Sequence, residues 1–180
     1  MTTLLPLRNL GARHPGVTQA LGDSYSEAAF VCLNRHHTSP VTLKADFHGE
    51  QAEYLAEWEP PDTKLLRSWA NDIDATEAGA YCISLAAIET LAGLVAVRRA
   101  ETLTGADYYV APLGSDPEDL ESCIRLEISG VSAGNKAVIE ERLRKKVKQA
   151  EKGQSNLPAI ASVIGFKELL IAMAKVSDLP

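Results

Sequence analysis

The stretch Thr104–Gly130, TGADYYVAPLGSDPEDLESCIRLEISG, decides the fold of this chain. It predicts two short strands joined by an acidic loop. In the first, Asp107 and Tyr109 share one face and Tyr108 and Val110 the other, because side chains alternate along a strand. In the second, Arg125, Glu127 and Ser129 share a face and Ile124, Leu126 and Ile128 occupy its reverse. One acid on each of two adjacent strands, among apolar neighbours, is a costly arrangement, since like charges brought together out of water must share a proton or a cation. That cost marks Asp107 and Glu127 as the candidate site and as candidate metal ligands. Two carboxylates are hard oxygen donors, which suits Mg²⁺ or Mn²⁺ better than zinc.

Working outward, Asp74-Ala75-Thr76-Glu77 reads as a capping box that opens a helix running to about Arg99. Tyr81, Leu85, Ile88, Ala92 and Val95 recur at helical spacing, and the neighbouring positions are also mostly apolar, so the helix is expected at the centre of the molecule. Arg98 and Arg99 suit its C-terminal dipole. Glu89 is its one charge between Ala78 and Val97, either paired with an arginine of the flanking structure or delivered to the site as a third acid. On the other side, residues 135–153, NKAVIEERLRKKVKQAEKG, predict a second helix whose Ile139, Leu143, Val147 and Ala150 pack inward, closed by Gly153. The runs PAIASVIGF and ELLIAMAKV that follow read as closing strands in a hairpin, with a buried helix as the alternative for the first, since short apolar runs fit either.

Nearer the start, residues 1–22 show no sustained period and read as an irregular arm. From Tyr25, SEAAFVCLNRHH, SPVTLKADFHG and QAEYLAEWEPP predict an antiparallel meander, and TKLLRSWAN a short helix. His36, His37 and His48 near Cys32 invite a zinc reading, but no second cysteine or HxxxH pair completes the ligand set. The division is therefore an N-terminal arm and β meander over 1–62 and an α/β core over 63–180, within the size of one compact domain. The expected class is α/β, a mixed sheet with a buried central helix and a basic helix.

The net charge of −6 argues against a surface coated for nucleic acid or anionic membrane. Yet Lys136–Lys152 carries +4 and the remainder −10, so its charged residues are either a solvated face or the one place where a phosphate backbone is held, at Arg144, Lys145 and Lys148. Three widely spaced cysteines, Cys32, Cys82 and Cys123, read as buried thiols of a reducing cytoplasm. No signal peptide is evident, and the longest apolar stretch, 78–97, holds Glu89 and two glycines, so no membrane span is expected.

The order of capped central helix, strand with Gly105-x-Asp107, strand with Glu127 in an apolar run, basic helix and further strand resembles the core of the PD-(D/E)xK nuclease superfamily. The resemblance covers roughly residues 74–175 and implies a restriction-endonuclease-like core. It implies Asp107 and Glu127 as the two motif acids, Glu89 as the helix acid and Gln149 as a helix glutamine. Ser129 stands where the motif lysine is expected, so Lys136, Lys145 or Lys146 must reach back from the helix if the site is active; Lys145 joins Asp107, Glu127 and Glu89 in the candidate catalytic set. The function then implied is Mg²⁺- or Mn²⁺-dependent hydrolysis of DNA or RNA, by the chain alone or within a larger complex. The alternative is an inactive nuclease fold that serves as a protein–protein interaction module. No GxGxxG, P-loop, GxSxG or HExxH motif supports other chemistry.

Overall fold

The computed structural model describes residues 2–176; positions 1 and 177–180 of the two predicted segments lie outside the described residues. Eight strands form one mixed sheet in the order β1-β3-β2-β8-β7-β6-β5-β4. They are β1 (Thr3–Leu4), β2 (Val41–Phe47), β3 (Glu50–Ala56), β4 (Leu94–Arg99), β5 (Tyr108–Pro112), β6 (Ile124–Val131), β7 (Ala159–Gly165) and β8 (Leu170–Lys175). Among the described residues five α-helices accompany them: α1 (Leu10–Arg13), α2 (Gln19–Asn34), α3 (Thr63–Ser68), α4 (Asp72–Ala92) and α5 (Lys136–Glu151). The mixed α/β class holds. Because β2 pairs in parallel with β8, residues 2–62 contribute strands to the same sheet as residues 63–176.

The half that positions the site is α4-β4-β5-β6-α5-β7. Strand β5 pairs antiparallel with both β4 and β6, and α5 then crosses over so that β7 lies parallel to β6. Helices α2 and α4 cover one face of the sheet and α5 the other. Alternation along β6 explains this division: Ile124, Leu126 and Ile128 enter the core beneath α4, while Val131 joins Ile139 of α5 with Val163 and Ala172.

Three local expectations change. Residues 25–34, read as a strand, belong to α2, whose start Thr18 caps by accepting from the Leu21 amide. Ala28 to Leu33 are all buried, so the stretch has no polar face to reveal its period, and a continuous apolar run fits buried helix and buried strand alike. The meander is consequently a two-stranded hairpin, β2 and β3, turned at His48 and Gly49, both with positive φ as a tight two-residue hairpin turn requires.

Helix α4 begins two residues before the predicted cap, at Asp72, because Asn71 accepts from the amides of Ile73 and Asp74. It ends at Ala92, where Gly93 takes a left-handed conformation, and the β-branched Val95 and Val97 continue as β4. Arg98 and Arg99 are thus strand residues. Leu85 and Ile88 are fully buried whereas Ala92 is exposed at the helix end. Close approach of α4 to α2 depends on Gly79, where a Cβ would lie 3.1 Å from the backbone of Ala29. The outer edge of β4 is covered by the loop after α1: Gly16 donates to the Ala96 carbonyl and His14 Nδ1 accepts from the Ala96 amide.

The hairpin β7–β8 and helix α5, capped by Asn135, form where the sequence places them. Cys32, Cys82 and Cys123 are buried free thiols. Among the described residues no helix is long and apolar enough to cross a membrane.

Candidate functional site

Strand β5 starts at Tyr108, one residue after Asp107, while β6 continues past it to Val131. The β6 edge beyond Leu126 therefore lacks a strand partner, and Asp107 fills the gap: Oδ2 accepts from the Ile128 amide at 2.7 Å. A strand residue presents its N–H and C=O to the same side, so the Ile128 carbonyl looks out of this edge as well. Asp107 was expected on the sheet face of Glu127. Instead it turns along the sheet edge, and Oδ1 reaches the Tyr81 hydroxyl of α4 at 2.9 Å.

Glu127 lies on the α5 face with its side chain only 4% exposed. Lys146 of α5 donates to Oε1 at 2.6 Å and also reaches Gln149 Oε1 at 3.4 Å. Burial raises the Glu127 pKa above the ordinary carboxyl range; the Lys146 hydrogen bond pulls it down and the Asp107 charge pushes it up. Lys146 lines both clefts that meet at Asp107. One cleft, about 540 Å³, runs past Glu77, Tyr81, Ser129 and Arg142. The other, about 490 Å³, is bounded by the 100–106 loop, Glu127, Gln149 and Lys152.

On the α4 side the Tyr81 hydroxyl lies 3.1 Å from Glu77 Oε1, 2.9 Å from Asp107 Oδ1, and accepts from Arg99 Nη2 at 3.0 Å. A phenol has one proton, so it serves one carboxylate at a time. Burial and the Asp107 charge hold the Tyr81 pKa well above its ordinary value, keeping it a donor. The Arg99 guanidinium lies over the Tyr81 ring at 4.6 Å and the Tyr108 ring at 4.9 Å, and Nη2 is 3.7 Å from Asp107 Oδ1.

Of the residues singled out in the sequence, Asp107, Glu127 and Gln149 come together here. Glu89 does not: it lies two turns past Tyr81, roughly 12 Å along the helix axis, paired with Arg13 at 2.9 Å and facing His14 Nε2 at 3.3 Å. Lys145 points away, 70% exposed and 3.9 Å from Glu141, so the lysine that reaches back is Lys146, one position on. A helix turns about 100° per residue, and that rotation separates the solvated face from the sheet. Arg144, bound to Glu141, and Lys148 are exposed on the outer side.

Three contributors were missed. Glu77 was read as a cap, but Asn71 does that work and frees it; Tyr81 was read only as core; Arg99 was read as helical. The i, i+4 spacing of Glu77 and Tyr81 was the available signal.

Among the described residues no three His, Cys, Asp or Glu side chains gather closely enough to hold a metal by themselves. The oxygen donors at hand are the Asp107 and Glu127 carboxylates, each of which already accepts from a protein donor. Comparison with protein-family models, curated proteins and solved structures brings no match.

Proposed function

We propose that the chain is a metal-dependent phosphodiesterase acting on nucleic acid. The observation that carries this reading is the Lys146 ammonium 2.6 Å from Glu127, on the cleft shared with Asp107, which assembles two acids and a lysine despite Ser129. Asp107 and Glu127, with the Ile128 carbonyl, would hold Mg²⁺ or Mn²⁺. Such a cation supplies a bound water of lowered pKa and neutralises charge on the scissile phosphate. The Ile128 amide and the Tyr81 hydroxyl orient Asp107. Lys146, which donates to Glu127 at 2.6 Å, would orient the attacking water. Arg144, Lys145 and Lys148, outside the cleft, contribute to holding the backbone without reading bases.

A second reading has one observation in its favour. Lys146 already matches the buried Glu127 charge, so the pocket is electrostatically satisfied without a cation, as expected of an inactive nuclease fold kept as a protein–protein interaction module.

Titration calorimetry with Mn²⁺, on wild type, Asp107→Ala and Glu127→Ala, combined with DNA and RNA cleavage, separates the two. Binding and cleavage that disappear in both variants support the phosphodiesterase; cleavage should also fall in Lys146→Met and survive in Lys145→Met. Charge reversal at Lys145 and Lys148 should weaken oligonucleotide binding and flatten its salt dependence. Wild type that binds no Mn²⁺ and cleaves neither polymer leaves the interaction module.

A further inference from the structure

Arg98 and Arg99 are consecutive on β4, yet only one faces the site, and a backbone irregularity selects which. Ala96 pairs with Val110, but Arg98 pairs with Tyr109 and Arg99 with Tyr108, so Val97 is an extra residue in the strand. Without this bulge the ladder would set Arg98, not Arg99, opposite Tyr108. Bulges beside functional sites characteristically re-aim a side chain in this way. The irregularity is built in from behind: Gly16 packs so closely that a Cβ there would lie 2.5 Å from the Val97 carbonyl carbon and the Arg98 nitrogen.

The guanidinium delivered by the bulge is held in place and left unsatisfied. It rests on the Tyr81 and Tyr108 rings, 4.6 and 4.9 Å from their centroids, and one nitrogen, Nη2, donates to the Tyr81 hydroxyl. Tyr108 is itself fixed by a 2.8 Å bond between its hydroxyl and that of Tyr25. Nε and Nη1 have no hydrogen-bond partner among the described residues, and the side chain is 48% exposed. By contrast, Arg98 is engaged with Glu101 at 3.1 Å. An ion pair with Asp107 does not explain the placement, because at 3.7 Å it is the longer of the two contacts made by Nη2.

We infer that Arg99 is an anion clamp, presenting the free edge of its fork to a phosphodiester oxygen of a nucleic acid strand lying across Asp107. The planar guanidinium matches two oxygens of a phosphate, and its stacking removes much of the ordering cost a free arginine would bear on binding. The phosphodiesterase reading supplies the identity of the anion; the clamp itself rests on the bulge, the stack and the open donors. A consequence separates this role from a merely structural one. The same cation that attracts phosphate repels a metal ion at Asp107, so removing it must move the two affinities in opposite directions.

The test uses Arg99→Gln and Arg99→Lys in the full chain, with Mn²⁺ titrated by calorimetry and short fluorescent DNA and RNA oligonucleotides titrated both in Ca²⁺ and in chelator. Arg99→Gln should weaken oligonucleotide binding about ten-fold or more and tighten Mn²⁺ about three-fold. Arg99→Lys, which keeps the charge but not the fork, should fall between for the oligonucleotide and leave Mn²⁺ near wild type. Unchanged oligonucleotide affinity, wild type that binds no oligonucleotide, or a joint loss of both ligands overturns the inference. Should wild type bind no Mn²⁺, the metal reading fails by itself, and the clamp stands or falls on the oligonucleotide titrations in chelator.

Discussion

Removing the Lys146 ammonium with Lys146→Met should leave Glu127, 4% exposed, without its counter-charge. Breaking a buried ion pair from one side costs about 3–5 kcal/mol while the orphan stays charged. Glu127 has an escape, because it can take up a proton instead. From its ordinary value of 4.5 to pH 7, protonation costs about 3.4 kcal/mol at about 1.4 kcal/mol per pH unit. The destabilisation therefore has a ceiling near 3.4 kcal/mol at neutral pH, about 1.4 kcal/mol one pH unit above 4.5, and about 0.4 kcal/mol at 4.5, where half of the unfolded carboxyls are still ionised. The sign follows from linkage: the folded variant keeps a proton that the unfolded chain has released, so its stability falls as pH rises until Glu127 ionises in the fold. Urea unfolding of wild type, Lys146→Met, Glu127→Gln and the double variant across this range reads the slope directly. Glu127→Gln alone should cost little, since Lys146, with 20% of its side chain exposed, can turn to water, and the double variant should lose the pH dependence. A Lys146→Met deficit that is absent or independent of pH refutes the reasoning.

Two further outcomes concern the scaffold. Burial holds the His14 pKa below 6.5, and its Nδ1 accepts from Ala96, so His14 stabilises the fold fully above pH 6.5 and progressively less as pH falls toward its folded value. His14→Leu should cost about 1–3 kcal/mol at neutral pH through the orphaned Ala96 amide, and urea midpoints measured downward from pH 7 should show a shallower acid decline than wild type. Gly130→Ala should destabilise by about 1–3 kcal/mol through overpacking, because its Cβ would meet the Thr76 carbonyl oxygen at 2.6 Å and push α4 from β6; thermal unfolding checks this.

The two site strands, the basic helix and the closing hairpin were legible because each has a polar face, a cap or a turn that sets its period. Helix α2 was not, since a segment buried on every side carries no amphipathic signal, and Ala28 to Leu33 offer none. The cost of burying acids singles out Asp107 and Glu127 in the sequence, and the fold brings both to the wall of one cleft. What the sequence could not reveal was orientation set by irregularity: β5 starting one residue late turns Asp107 edge-on, and the β4 bulge exchanges Arg98 for Arg99. The choice of Lys146 over Lys145 depends on the rotation of α5 over the sheet, which its apolar stripe approximates but does not fix to one residue. Glu89 shows the reverse case, where a lone core acid was paired structurally with Arg13.

Strand β8 lies between β2 and β7, pairing in parallel with the first hairpin and antiparallel with its own. It is a keystone in order of synthesis as well as in space. The hairpin β2–β3 is complete once residue 56 is made, yet its inner edge has no partner until residues 170–175 emerge more than a hundred positions later. During translation that edge is a bare row of amides and carbonyls, open to any strand that arrives first. Sheet closure is therefore a late, long-range event, which makes the nascent chain more vulnerable to mispairing than the finished protein.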